Sequence, residues 1–169
     1  PLAGLTPHER LDTHALAAAL RQALADAPFT ARLSAKVSVA LDGGGPLHLD
    51  ELAADVRLRA VGPEHVHLAL AGDATNAAPL GAVALGRAVE CVVRLLETLA
   101  NTAPGSRMRD AIAGEGLHAF SAATADLVVP FPVPSVRRAA DPMGVHRLAT
   151  GNALGMVGDV LDLVGDRAA

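Results

Sequence analysis

The spacing of apolar and polar positions changes several times along the chain, and each change marks an element. Leu11, Ala15, Leu16, Ala19, Leu20, Ala23 and Leu24 recur at helical spacing, which predicts a helix over residues 7–27. Pro7 suits its first turn, with Thr6 as cap, and Pro28 ends it. From Lys36 to Asp42 the period falls to two: Val37, Val39 and Leu41 face one way, and Lys36, Ser38, Ala40 and Asp42 the other. Asp42-Gly43-Gly44-Gly45-Pro46 then forces a turn. Two more alternations, over residues 55–60 and 65–70, flank the short link Val61-Gly62-Pro63-Glu64 and predict an antiparallel hairpin.

Residues 76–81 read as loop, and an apolar stripe of Leu85, Val89, Val92, Val93, Leu96 and Leu99 predicts a long helix over 82–101. Pro104-Gly105 breaks it, a second helix covers 107–113, and a short turn follows at 117–120. The three alternating prolines Pro130, Pro132 and Pro134 suit an extended connection better than a central strand. The chain therefore divides into a domain over 1–125, a Pro-rich linker over 126–135 and a tail over 136–169 with a helix signal at 156–164. The predicted fold class is α+β: a small antiparallel or mixed sheet with helices packed on one face.

Composition narrows the function classes. Of 169 residues, 51% are hydrophobic, enough for a core. The apolar stretches are broken before the ~18 residues a membrane helix needs, and the opening residues lack the basic and apolar regions of a signal peptide. Pro1 in place of Met suggests a partial sequence. A net charge of -4, with no Trp or Tyr, argues against nucleic acid as a partner. The single cysteine, Cys91, lies in a helical apolar run and reads as a buried thiol; the expected location is cytoplasmic.

Chemistry concentrates on the polar sides of the three predicted strands. Lys36 and Ser38, Arg57 and Arg59, and His65 and His67 share one face if the strands are neighbours in register. Guanidinium forks and an ammonium suit a ligand with several carboxylates. The same pattern also describes a face that simply meets water. His65 and His67 could hold a metal with a carboxylate from elsewhere. The glycines after Asp42 lack the spacing of a dinucleotide-binding turn, and no Walker sequence or nucleophile elbow is present.

Several stretches together resemble precorrin-3B synthase, a family related to the sulfite and nitrite reductases. Leu33-Ser34-Ala35-Lys36-Val37-Ser38-Val39-Ala40-Leu41-Asp42-Gly43-Gly44-Gly45 is similar to the family's L-P-x-K-F-S-F-x-x-D-G-G-G. Ala54-Asp55-Val56-Arg57-Leu58-Arg59-Ala60 is similar to x-D-I-R-L-x-A, and Pro1-Leu2-Ala3-Gly4-Leu5 to the S-P-L-A-G-L entry. Leu80-Gly81 and Ser106-Arg107-Met108-Arg109-Asp110-Ala111 resemble the helical stretch near the domain end. The resemblance is collinear over roughly residues 1–125. It implies a nitrite/sulfite reductase-like half, with the tail as a partial or degenerate start of a second ferredoxin-like domain.

The resemblance also implies roles. Lys36 inherits the place of a lysine in the family's basic pocket around the tetrapyrrole. Ser38 stands where sirohaem-binding reductases carry a second lysine, which disfavours a sulfite or nitrite reductase. Arg57 has a family counterpart; Arg59 is added from strand alternation alone. The complete enzyme is expected to hydroxylate precorrin-3A with dioxygen and close a lactone, using a 4Fe-4S cluster and a non-haem iron. A four-iron cluster wants four thiolates, so this chain alone is expected to hold no cofactor and to be inactive unless a cysteine-bearing half joins it. The alternatives are a sulfite or nitrite reductase fragment, or a non-catalytic module that binds a tetrapyrrole or a partner.

Overall fold

The structure, a computed structural model, describes residues 10–45, 48–137 and 159–162. Helix α1 (Thr13–Ala25) starts where the Asp12 carboxylate accepts from the backbone N–H groups of His14 at 2.9 Å and Ala15 at 3.3 Å. Those donors have no partner inside the helix, and a capping carboxylate satisfies them. The start is therefore later than the apolar period suggested, because Asp12 caps the first turn; Thr6 and Pro7 lie outside the described residues. Leu16, Ala17, Leu20 and Leu24 form its buried side.

Three strands follow as expected: β1 (Ser38–Asp42), β2 (Ala54–Ala60) and β3 (His65–Gly72). β2 and β3 form the antiparallel hairpin, with Arg59 opposite His67 and Arg57 opposite Ala69. β1 lies parallel to β2, with Ala40 beside Arg57 and Asp42 beside Arg59. A parallel neighbour needs a crossover, and here it is the loop over 43–53. That loop is organised by Asp42, whose carboxylate accepts from Gly44 N at 2.8 Å and Leu49 N at 3.1 Å. Gly44 takes φ +77°, and a Cβ there would stand 2.7 Å from the Ala60 carbonyl oxygen. Only glycine fits.

One element departs from expectation. Residues 78–84, read as loop and helix start, form β4 (Ala78–Ala84), antiparallel to β3. Its alanines favour helix in isolation, but pairing with β3 decides the outcome. The ladder shifts register at Leu68 and Ala69, so that Leu68 faces Gly81 and Ala69 faces Pro79. Leu80 is the extra residue, and a bulge of this kind accommodates a strand proline. The long helix α2 (Ala88–Thr102) consequently begins only after a short 3-10 turn at Leu85–Arg87.

Helices α3 (Met108–Glu115) and α4 (His118–Ala123) complete the helical layer. The helices pack with Val39, Leu41, Val56, Leu58, Val66, Leu68, Leu70 and Val83 in one continuous core that includes Leu95, Leu99, Met108 and Phe120. Cys91 sits in it as a buried thiol. The architecture is α+β, with a small mixed sheet and its helices on one face, as the spacing predicts.

The run over 126–135 stays on this sheet. Leu127 is in the core, and β5 (Val128–Val129) pairs with β4. Gly81 permits that approach: a Cβ there would lie 2.3 Å from the Val129 carbonyl oxygen. β6 (Asp159–Asp162) pairs antiparallel with β1, giving the order β5-β4-β3-β2-β1-β6. A strand thus replaces the helix expected over 156–164, because the free edge of β1 offers backbone partners. The rest of the tail lies outside the described residues.

Candidate anion-binding site

The face opposite the helices carries Ala40, Asp42, Arg57, Arg59, His67 and Ala69, as the strand registers require. It does not meet bulk water. The crossover loop lays Leu49 on Ala40 and Ala54, and the extended run over 130–137 crosses beyond it. Arg57 is 7% exposed; its guanidinium donates to the Leu49 carbonyl at 2.9 Å and to the Leu52 carbonyl. Arg59 donates to the Ser135 carbonyl at 2.8 Å and stands 3.8 Å from Asp50. Burial lowers the pKa of both arginines, against the pull of nearby carboxylates. Both remain cations, since an arginine begins far above neutrality.

Arg137 locks the extended run down. Its guanidinium bonds Asp42, Asp50 at 2.8 Å and the Gly45 carbonyl at 3.0 Å, and its backbone N–H donates to Asp50 at 2.5 Å. Burial alone would raise Asp50, but these bonds hold its carboxyl below the ordinary carboxylate value. No local pattern ties Arg137 to carboxylates far away in the chain.

His67 is 6% exposed, and its Nε2 is buried without a hydrogen-bond partner. The Phe131 ring tilts over it with centroids 6.3 Å apart. Burial, helped by the Arg59 charge, pushes the imidazole down to about 4, so it is neutral near pH 7. Arg57, Arg59 and His67 line a cleft of about 40 Å³ closed by Asp73, Ala74, Ala77, Pro79, Val133 and Pro134.

Lys36 and Ser38 do not line that cleft. Lys36 lies exposed in the turn before β1, since the strand starts only at Ser38. Ser38 is held by Asp55, which accepts its N–H at 2.9 Å and its hydroxyl at 3.3 Å. The same buried carboxylate accepts from Arg107 Nε and, at 2.8 Å, from Met108 N. Asp55 thereby ties β1 and β2 to the start of α3. Its place in a strand gave no hint of this. His65 is exposed at the far end of β3, opposite Ala84. So of the six residues read onto one face, the structure brings together Arg57, Arg59 and His67.

No family model matches the chain. It is 38% identical over 114 residues to a precorrin-3B synthase from Sinorhizobium sp. The match covers 65% of this chain and 25% of that protein, so the chain spans about a quarter of the length of the relative it matches. The similarity supports the family resemblance in part. The groups implied by the resemblance do not fit these residues. A four-iron cluster needs thiolates, and burial pushes the lone Cys91 thiol up to about 12. Among the described residues no three His, Cys, Asp or Glu side chains converge for a metal, His65 and His67 included. No helix of the described residues is long and apolar enough to cross a membrane.

Proposed function

We propose that this chain is part of a precorrin-3B synthase-like oxidoreductase of cobalamin biosynthesis, and that it supplies one basic wall of a tetrapyrrole pocket. The observation that carries this reading is the 38% identity to a precorrin-3B synthase over 114 residues. The polar face agrees with it chemically: Arg57 and Arg59 are fixed cations of the kind a polycarboxylate macrocycle requires. A cleft of about 40 Å³ cannot enclose a macrocycle, since ligand pockets are commonly several hundred Å³. The remaining walls come from further chain or from a cysteine-bearing partner, which also supplies the thiolates of a 4Fe-4S cluster and the ligands of a non-haem iron. In that complete enzyme the reaction is dioxygen-dependent hydroxylation and lactonisation of precorrin-3A, in the cytoplasm.

In this reading Lys36 offers its exposed ammonium to a substrate carboxylate at the entrance of β1, and Ser38 fixes that entrance through Asp55. Ser38 leaves no second cation there, which speaks against a sulfite or nitrite reductase fragment. The second reading is a non-catalytic tetrapyrrole- or partner-binding module. It is favoured by the match reaching only a quarter of the Sinorhizobium relative's length.

The test is a titration of the full chain with a hydrogenobyrinic-type tetrapyrrole, followed by absorbance. Saturable binding that weakens about tenfold in Arg59→Gln supports the basic wall. No binding to the full chain, or to the longer protein containing it, overturns the reading. Turnover of precorrin-3A by that longer protein separates enzyme from module.

A further inference from the structure

We propose that Arg57, Arg59 and His67 form a subsite for one carboxylate group, in the cleft between β2, β3 and the extended run over 130–137. Three observations converge on it. First, Arg57 is a buried cation with no carboxylate within ion-pairing distance among the described residues; its bonds go to two neutral carbonyls. Nearby acids are already engaged: Asp42 and Asp50 by Arg137, and Asp73 by Thr75 and Asn76. Asp42, Asp50 and Asp73 attract Arg57 only from beyond pairing distance, so an anion in direct contact would be favoured.

Second, the Nε2 atom of His67 is buried and has no partner. Buried polar atoms in folded proteins nearly all have one, so an orphan points to a missing group. A neutral imidazole bearing its proton on Nε2 would donate to an oxyanion. Third, these side chains line the same cleft, and its volume of about 40 Å³ suits a single carboxylate or a water or two. Asp73 also lines the cleft, which disfavours a more highly charged anion such as phosphate. A carboxylate offers two oxygens in one plane, one for Arg59 and one for His67.

The subsite stands on this geometry alone. Naming its occupant as an acetate or propionate arm of a tetrapyrrole rests on the function proposed above. The experiment separates the two claims. The full chain is titrated with propionate, and in parallel with propionamide, at constant ionic strength, while the His67 ring resonances are followed by NMR. Expected is a saturable shift with propionate, none with propionamide, and affinity about tenfold weaker in Arg59→Gln. His67→Phe, which keeps an aromatic ring under Phe131, should weaken propionate binding by calorimetry. Equal response to both compounds, or unchanged affinity in both variants, overturns the subsite. Addition of a polycarboxylate tetrapyrrole should then displace propionate. Propionate binding without such displacement supports the subsite and removes the tetrapyrrole as its occupant.

Discussion

The two faces of the sheet are both covered by chain, but by different physics. On the helical side Val39, Leu41, Val56, Leu58, Leu68 and Leu70 meet α1 to α4 in a dry core. Stability there comes from apolar area removed from water, which is non-directional and tolerant of detail. On the other side, Arg57, Arg59, Arg137, Asp42 and Asp50 bind loop carbonyls and one another beneath a proline-rich run. That side depends on direction and on charge balance, because each partner removed leaves another buried and unpaired. One face is a foundation; the other is a directional network of charged groups and carbonyls.

Breaking the foundation should cost most. Leu68 is fully buried at the centre of β3. Leu68→Ala should destabilise by about 2–5 kcal/mol, from lost transfer energy and a residual cavity. The measurement is a urea unfolding midpoint with unchanged slope. Arg137→Ala should come next. It strips the guanidinium from Asp42 and Asp50, which are 4% and 1% exposed. Breaking a buried pair costs about 3–5 kcal/mol; partial exposure of Arg137 brings the expected loss to about 2–3 kcal/mol. With its carboxyl held low, Asp50 contributes stability above the ordinary value of 3.8, and that contribution fades as pH falls through the depressed value. The acid limb of the stability curve should therefore flatten in Arg137→Ala. An acid limb identical to wild type would separate Arg137 from Asp50.

The difference between the faces also explains what could be read from sequence. β1, β2, β3 and the core stripe of α2 were legible because period two and period 3.6 survive in single segments. β4 was not, because Ala78-Pro79-Leu80-Gly81-Ala82 has no strand signature and exists as a strand only by pairing with β3. Alternation placed Arg57, Arg59 and His67 together correctly. It extended the same face to Lys36, which lies one turn ahead of the strand. What no pattern could reveal was that residues 130–137 return to cover this face. The bonds from Arg137 to Asp50 and from Arg59 to Ser135 join positions far apart in the chain. Prolines signal an extended path but not where that path lies.

The polar face can be sharpened by pH. His67 has a folded value of about 4 against an ordinary 6.5. Between these values the unfolded chain binds the proton and the folded chain does not. Stability should thus fall as pH drops from about 6.5 toward 4, and level off below. In His67→Phe that segment of the curve should disappear, as read by thermal midpoints at pH 7 and pH 5. A slope surviving in the variant would assign the effect to another group.

The smallest expected effect on stability belongs to Lys36→Ala. The ammonium is exposed in the turn before β1, outside the cleft that Arg57 and Arg59 line. Surface substitutions of this kind usually shift stability by no more than about 0.5 kcal/mol. A thermal midpoint close to wild type is therefore expected. That makes Lys36 a clean probe of ligand contact, since any change in tetrapyrrole affinity cannot be blamed on the fold. Weaker binding at unchanged stability would extend the basic wall from the cleft to the start of β1. Equal binding would confine it to the arginine and histidine side chains beneath residues 130–137.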